Sequence, residues 1–189
     1  MDKYKKQAQS CFKSGKWGLN YDFYKAAFKA ASRLTKMMDE ADIFAKSGKN
    51  DMATDIAMAV AEVIPRNYGD VDDSEGVLGD LFDRAIKLLC DIVKDASTDM
   101  IIKKEIYTWS VNESTISDYS DYGFDEIQTI YELCCTLIGD TDEVLAEIER
   151  RINEITNEYY KNQAIDWKIR FMKSRNLDVD AVIQSRNKI

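Results

Sequence analysis

Two acidic loops carry the residue types from which a site could be assembled. In the first, DVDDSEG at 70 to 76, Asp72 and Asp73 precede Asp80 and Asp83. In the second, SDYSDYGFDE at 117 to 126, Asp118 and Asp121 alternate with Tyr119 and Tyr122 and lead to Phe124. Carboxylates in such runs could chelate calcium, serve as general acid and base, or rim a surface that receives lysine and arginine. Calcium fails on spacing: an EF-hand loop begun at Asp70 puts Asp72 and Ser74 in place, but Glu75 falls where glycine is required and Leu81 where the bidentate glutamate belongs. Acid–base work by a pair such as Asp118 and Asp121 needs a cleft that fixes their separation, and the run supplies none. Aromatic rings beside carboxylates suit cationic side chains. Asp72, Asp73, Asp80, Asp118, Tyr119, Asp121 and Tyr122 are therefore the candidate partner-binding residues. Each loop also has a structural explanation. Asp72 with Glu75 reads as a capping box at the positive end of the next helix, Gly76 and Gly79 would admit a close backbone neighbour, and Phe124 with one tyrosine would staple the second loop to the helix after it.

The remaining composition removes whole classes of chemistry. Histidine is absent, which excludes Cys2His2 zinc, Ser-His-Asp and Cys-His catalysis. Cys11, Cys90, Cys134 and Cys135 lie in apolar runs without CxxC spacing and are expected as reduced, buried thiols. KSGK at 13 to 16 and at 46 to 49 resembles the tail of a phosphate loop but lacks its leading glycine and preceding strand. No catalytic residue, metal or cofactor is expected, and the chain reads as a protein other than an enzyme. Its 34 acids against 26 bases give a net charge of -8 with no basic patch, so nucleic acid is a poor partner and a protein or peptide, a basic one above all, a better one. The N-terminal stretch has no apolar segment of signal-peptide type, and no run reaches the roughly 18 apolar residues of a membrane span. The expectation is a soluble cytoplasmic protein with no membrane association. Trp17, Trp109 and Trp167 are expected in the core.

The elements that must position these residues are helices. One proline and eight glycines are too few for a turn-rich β fold. At this length the chain reads as a single domain, 1–189, able to bury about 70% of its unfolded surface. Apolar spacing predicts separate helices over 20–32 and 33–47, then 51–64 stopped by Pro65, a long and strongly patterned helix over 76–95, and others over 98–111 and 124–138. Asp140 with Glu143 opens a helix to about 160, and 161–189 forms a terminal hairpin.

One turn is written repeatedly. FKSGKW at 12 to 17 and FAKSGKN at 44 to 50 place Lys, Ser, Gly and Lys at an offset of 33, and FMKSRNL at 171 to 177 varies the theme. Helix, short Gly or Asn turn and helix at such a period mark stacked antiparallel pairs. Residues 34–67 resemble a tetratricopeptide unit, with Ala41, Phe44, Gly48, Ala53 and Pro65 at its spacing, while Met37, Glu40 and Ala57 depart from it. The reading is an all-α, irregular tetratricopeptide-like solenoid of about eight or nine helices, with 71–111 as a long-helix pair.

VDDSEGVLGDLF at 71 to 82 also resembles the helical region downstream of SWIM zinc fingers in bacterial proteins, where an Asp-Asp-Ser-acid-Gly run and Gly-Asp-Leu open a long helix. The specific part spans about a dozen residues. A CxC…CxH finger cannot exist here without histidine, so the chain would be a fragment or a fingerless relative. The resemblance implies partner binding. The function expected is a non-catalytic protein–protein interaction scaffold; a small acidic inhibitor of immunity type filling a basic cleft, and a metal-dependent enzyme, are the alternatives.

Overall fold

The computed structural model describes residues 2–12, 22–114 and 122–186, without the side chains of residues 2, 159, 160, 185 and 186. Among these residues there are nine α-helices and no strand, so the all-α expectation holds. They are α1 (Asp2–Phe12), α2 (Phe23–Lys46), α3 (Asn50–Asn67), α4 (Val77–Lys94), α5 (Met100–Glu113), α6 (Glu126–Ile138), α7 (Thr141–Glu154), α8 (Glu158–Ser174) and α9 (Asp180–Arg186), with a 3-10 turn at Tyr68–Asp70. The chain divides into two compact units, residues 1–131 and 132–189, with the boundary inside α6.

In the first unit, the two helices expected over 20–32 and 33–47 are one. Ala27, Ala30, Ala31, Leu34, Met37, Met38 and Ala41 form an unbroken buried stripe at spacings of three and four, and no Gly or Pro interrupts it. Asp22 caps its start, accepting from the Lys25 amide at 2.9 Å. Its end is a Schellman turn: Gly48 has φ +74°, the Lys49 amide donates to Phe44 O at 2.9 Å, and the Gly48 amide donates to Ala45 O at 3.0 Å. The reversal folds α3 back onto α2.

α3 is the centre of this unit. From Ala53 to Pro65 every residue is buried except the half-buried Asp55, and α1, α2, α4 and α5 all pack on it. Each large side chain enclosed in this way, Ile56, Met58 and Ile64 among them, contributes about 1.5 to 3 kcal/mol relative to exposure. Pro65 does not end the helix as expected, because a proline in the last turn forfeits a single amide and the helix runs on to Asn67. There the side chains of Arg66 and Asn67 donate back to Glu62 O at 3.3 Å and Val63 O at 2.7 Å. Two buried carboxylates are neutralised at the same end: Glu62 by Lys5 of α1 and by Arg66, and Glu113 of α5 by Arg66 at 2.7 and 3.0 Å.

The second unit uses the same turn with different residues. Asn176 follows α8 with φ +56°, and the Leu177 amide donates to Met172 O at 2.9 Å while that of Asn176 donates to Lys173 O at 3.1 Å. Asparagine replaces glycine because it tolerates the left-handed region better than other side chains. The third copy of the motif, around Gly15, lies outside the described residues, as does Trp17. α7 ends at Glu154 and α8 begins at Glu158, so the break expected near 160 falls a few residues earlier. Asp140 caps α7 as expected, accepting from the Asp142 and Glu143 amides at 3.0 and 3.1 Å. Between α6 and α7 a Cβ at Gly139 would lie 2.6 Å from Val144 Cγ2 and 2.8 Å from Cys135 O. Arg175 covers the exposed carbonyls of α6, donating to Cys135 O at 3.1 Å and Gly139 O at 2.8 Å. All four cysteines are buried, and Trp109 and Trp167 are in the cores.

Candidate functional site

α2 and α4 run in the same direction with α3 packed against both. Phe28 lies level with Val77, and Asp39 and Asp42 lie level with Arg84. On the first unit's surface these two helices enclose an open groove of about 420 Å³. Its floor is apolar, formed by Ala31 and Leu81 with Val77 beside them, and the half-exposed ring of Phe28 stands at one end. Ser32 and Thr35 line the α2 wall, and Thr35 donates its hydroxyl to Ala31 O at 2.8 Å. The α4 wall ends in Asp80 and Arg84.

Charge along the groove is uneven. Arg84 Nη2 bridges Asp39 at 2.8 Å and Asp42 at 2.6 Å, and these contacts raise its pKa above the ordinary arginine value, Asp42 acting most strongly. Towards the start of α4 Asp72, Glu75 and Asp80 are exposed, Asp80 one turn before Arg84, and no ion pair holds any of them among the described residues. Lys25 of α2 is paired with Asp22 at 2.9 Å.

The loop that presents the acidic end is fastened from several sides. The Asp72 amide donates to Phe23 O at 3.2 Å, and the Asp72 carboxylate folds over its own loop to accept from the Ser74 amide at 3.1 Å. Tyr24 lies beside Glu75; partial desolvation first, and the Glu75 charge second, push its phenol above the usual value. Tyr24 stacks on Phe28 with centroids 4.8 Å apart, continuing the apolar floor as an exposed aromatic step that includes Phe23.

Asp73 differs from its neighbours. The capping box expected of Asp72 and Glu75 is absent: Gly76, at φ +74°, occupies the cap position, and the buried Asp73 carboxylate reaches past it to the Leu78 amide at 3.0 and 3.1 Å and the Gly79 amide at 3.2 Å. Tyr68 lies beside Asp73, and burial together with that carboxylate raises the Tyr68 pKa. Asp73 therefore faces inward, away from any partner. Gly79 has no neighbour within 4 Å of an added Cβ, so the close approach expected there does not occur.

Of the remaining candidates, Tyr122 is half exposed and packs on Tyr68 with centroids 5.4 Å apart, its hydroxyl lying over Gly69. Phe124 is buried between Tyr68, at 5.0 Å, and Phe82, at 4.7 Å, and so staples its segment to the turn and to α4. Asp118, Tyr119 and Asp121 lie outside the described residues. Of the candidates, then, Asp80 lines the groove, Asp72 lies in the loop before α4 with its amide bonded to Phe23 O, and Tyr122 packs on Tyr68. Phe28, Ser32 and Arg84 were not foreseen: two facing apolar stripes are ordinary core signals until the packing of α2 beside α4 leaves a seam open.

No protein-family model, no curated protein and no solved structure matches the chain. Among the described residues no group of three or more His, Cys, Asp or Glu side chains could hold a metal ion, and no helix is long and apolar enough to cross a membrane.

Proposed function

We propose that the chain is a non-catalytic binding module that holds a segment of a partner protein in the groove between α2 and α4. The observation that carries this reading is the open apolar floor of Ala31, Val77 and Leu81, flanked by exposed Phe28 and rimmed by charge. Apolar surface left accessible in a concavity gains about 25 cal/mol per Å² when a partner covers it, and a charged rim orients what enters. α2 and α4 are the first helices of successive hairpins, so the groove sits where a tetratricopeptide-like array would receive its ligand. The solenoid arrangement and the kinship with the SWIM-associated helical region belong to this proposal, supported by the turn at Gly48, the five spacing matches in 34–67 and the 71–82 segment.

Ser32→Trp tests it. Ser32 is exposed on the groove wall, so an indole there fills the concavity without entering the core. Capture from native lysate by the wild type, by Ser32→Trp and by a distant Lys104→Trp control is compared, with circular dichroism confirming equal helicity. The reading expects one partner set, retained by the control and lost with Ser32→Trp. Equal capture by all three would discard the groove and favour an acidic inhibitor that acts through its outer surface.

A further inference from the structure

Resting on the groove reading, we infer that the occupant is a cationic amphipathic helix, seated with its basic residues at the Asp72, Glu75 and Asp80 end. Shape argues for a helix. The groove is walled by two parallel helices and extends from Phe28 to Thr35, about 10 Å or two helical turns, and the side-chain ridges of a third helix interdigitate with such walls as an extended strand does not. Apolar residues three and four apart on the occupant would fall on Leu81, Ala31 and Phe28 in succession.

Charge argues for cations and for a direction. Arg84 is already shared by Asp39 and Asp42, so the one guanidinium on the groove wall is taken up by two carboxylates. Asp72, Glu75 and Asp80 have no ion-pair partner among the described residues; Glu75 and Asp72 act on Tyr24, and Asp80 lines the groove with Phe28. A lysine or arginine there meets carboxylates and ring faces together, whereas an acidic residue meets net repulsion. The chain as a whole carries -8, which favours the approach of a cation.

The probe is a pair of fluorescent synthetic helical peptides of identical leucine pattern, one with lysine and one with glutamate on the polar face. Anisotropy titrations use the full chain, at low and at 0.3 M salt. The lysine peptide is expected to bind saturably at one site, the glutamate peptide not at all. Glu75→Gln with Asp80→Asn should weaken binding about tenfold at low salt and flatten the salt dependence, while Asp51→Asn with Glu105→Gln, which removes the same charge elsewhere, should change affinity less than twofold. Ser32→Trp should abolish it. The inference is overturned if the lysine peptide does not bind, if both peptides bind alike, if the two charge-removing pairs act equally, or if Ser32→Trp leaves binding intact. Loss of the lysate partners with Ser32→Trp alongside any of these outcomes would keep the groove and reject only its cationic helical ligand.

Discussion

At the scale of single residues, the loop 70–76 shows how neighbouring carboxylates acquire different tasks. Asp72 and Asp73 are indistinguishable in the sequence, since both precede a helix and both lie within reach of its first amides. The difference arises because Gly76 takes a left-handed conformation and turns the chain so that Asp73 faces the helix end while Asp72 faces water. Asp73→Ala removes acceptors from two buried or half-buried amides and is expected to cost about 1 to 2 kcal/mol, whereas Asp72→Ala should stay within about 0.5 kcal/mol. Urea denaturation of the two variants checks the contrast; equal losses would show that Asp73 is not the cap. Gly79 gives a prediction of opposite sign. Its φ is not left-handed, the space beside it is open and the Asp73 bond to its amide survives substitution, so Gly79→Ala should raise stability by about 0.5 to 1 kcal/mol, read as an increase in thermal midpoint.

At the scale of elements, local chemistry was legible and its extent was not. The turns at Gly48 and Asn176 could be read from sequence because a positive φ selects those residues, and the Asp140 cap because its donors lie two and three residues away. The continuity of α2 could not, since Ser32 and Arg33 resemble a boundary until the buried stripe on both sides proves to be in phase. Helix α7 carries its own electrostatic support. Glu147 is held near a pKa of about 2 against an ordinary 4.5, chiefly by its hydrogen bond to Arg150 and further by Arg151. The folded state thus binds fewer protons than the unfolded chain between these values. The contribution is complete above about 4.5 and disappears as pH falls towards 2. Glu147→Gln should therefore lower the thermal midpoint at neutral pH, by the equivalent of about 0.5 to 1 kcal/mol for a partly exposed cluster, with the gap to the wild type closing across that window. A gap that stays constant down to pH 2.5 would mean that the carboxylate charge contributes nothing.

At the scale of the molecule, the groove and the division into units were the least legible features, because both depend on which helices become neighbours. Asp80 entered the candidate set as one of several acids on a helix. That it shares a wall with Arg84, and that Arg84 is held by carboxylates more than forty residues earlier, follows from the parallel packing of α2 and α4. The division at 131/132 likewise falls inside α6, where no Gly, Pro or polar linker announces it. The cysteines allow that division to be tested. Cys11 and Cys90 are buried in the first unit and Cys134 and Cys135 in the second, and burial raises the thiol pKa of the first two, which slows their reaction in the folded state. Pulsed thiol labelling along a urea gradient, read by peptide mass spectrometry, should leave all four protected in native buffer. Cys11 and Cys90 should then become reactive at one shared urea concentration and Cys134 and Cys135 at one of their own, because members of a cooperative unit open together. Labelling of Cys11 well before Cys90 would instead show that α1 detaches while α2 to α5 remain folded, and that Tyr4, Ala8 and the Lys5 to Glu62 contact are too few to tie it to the core.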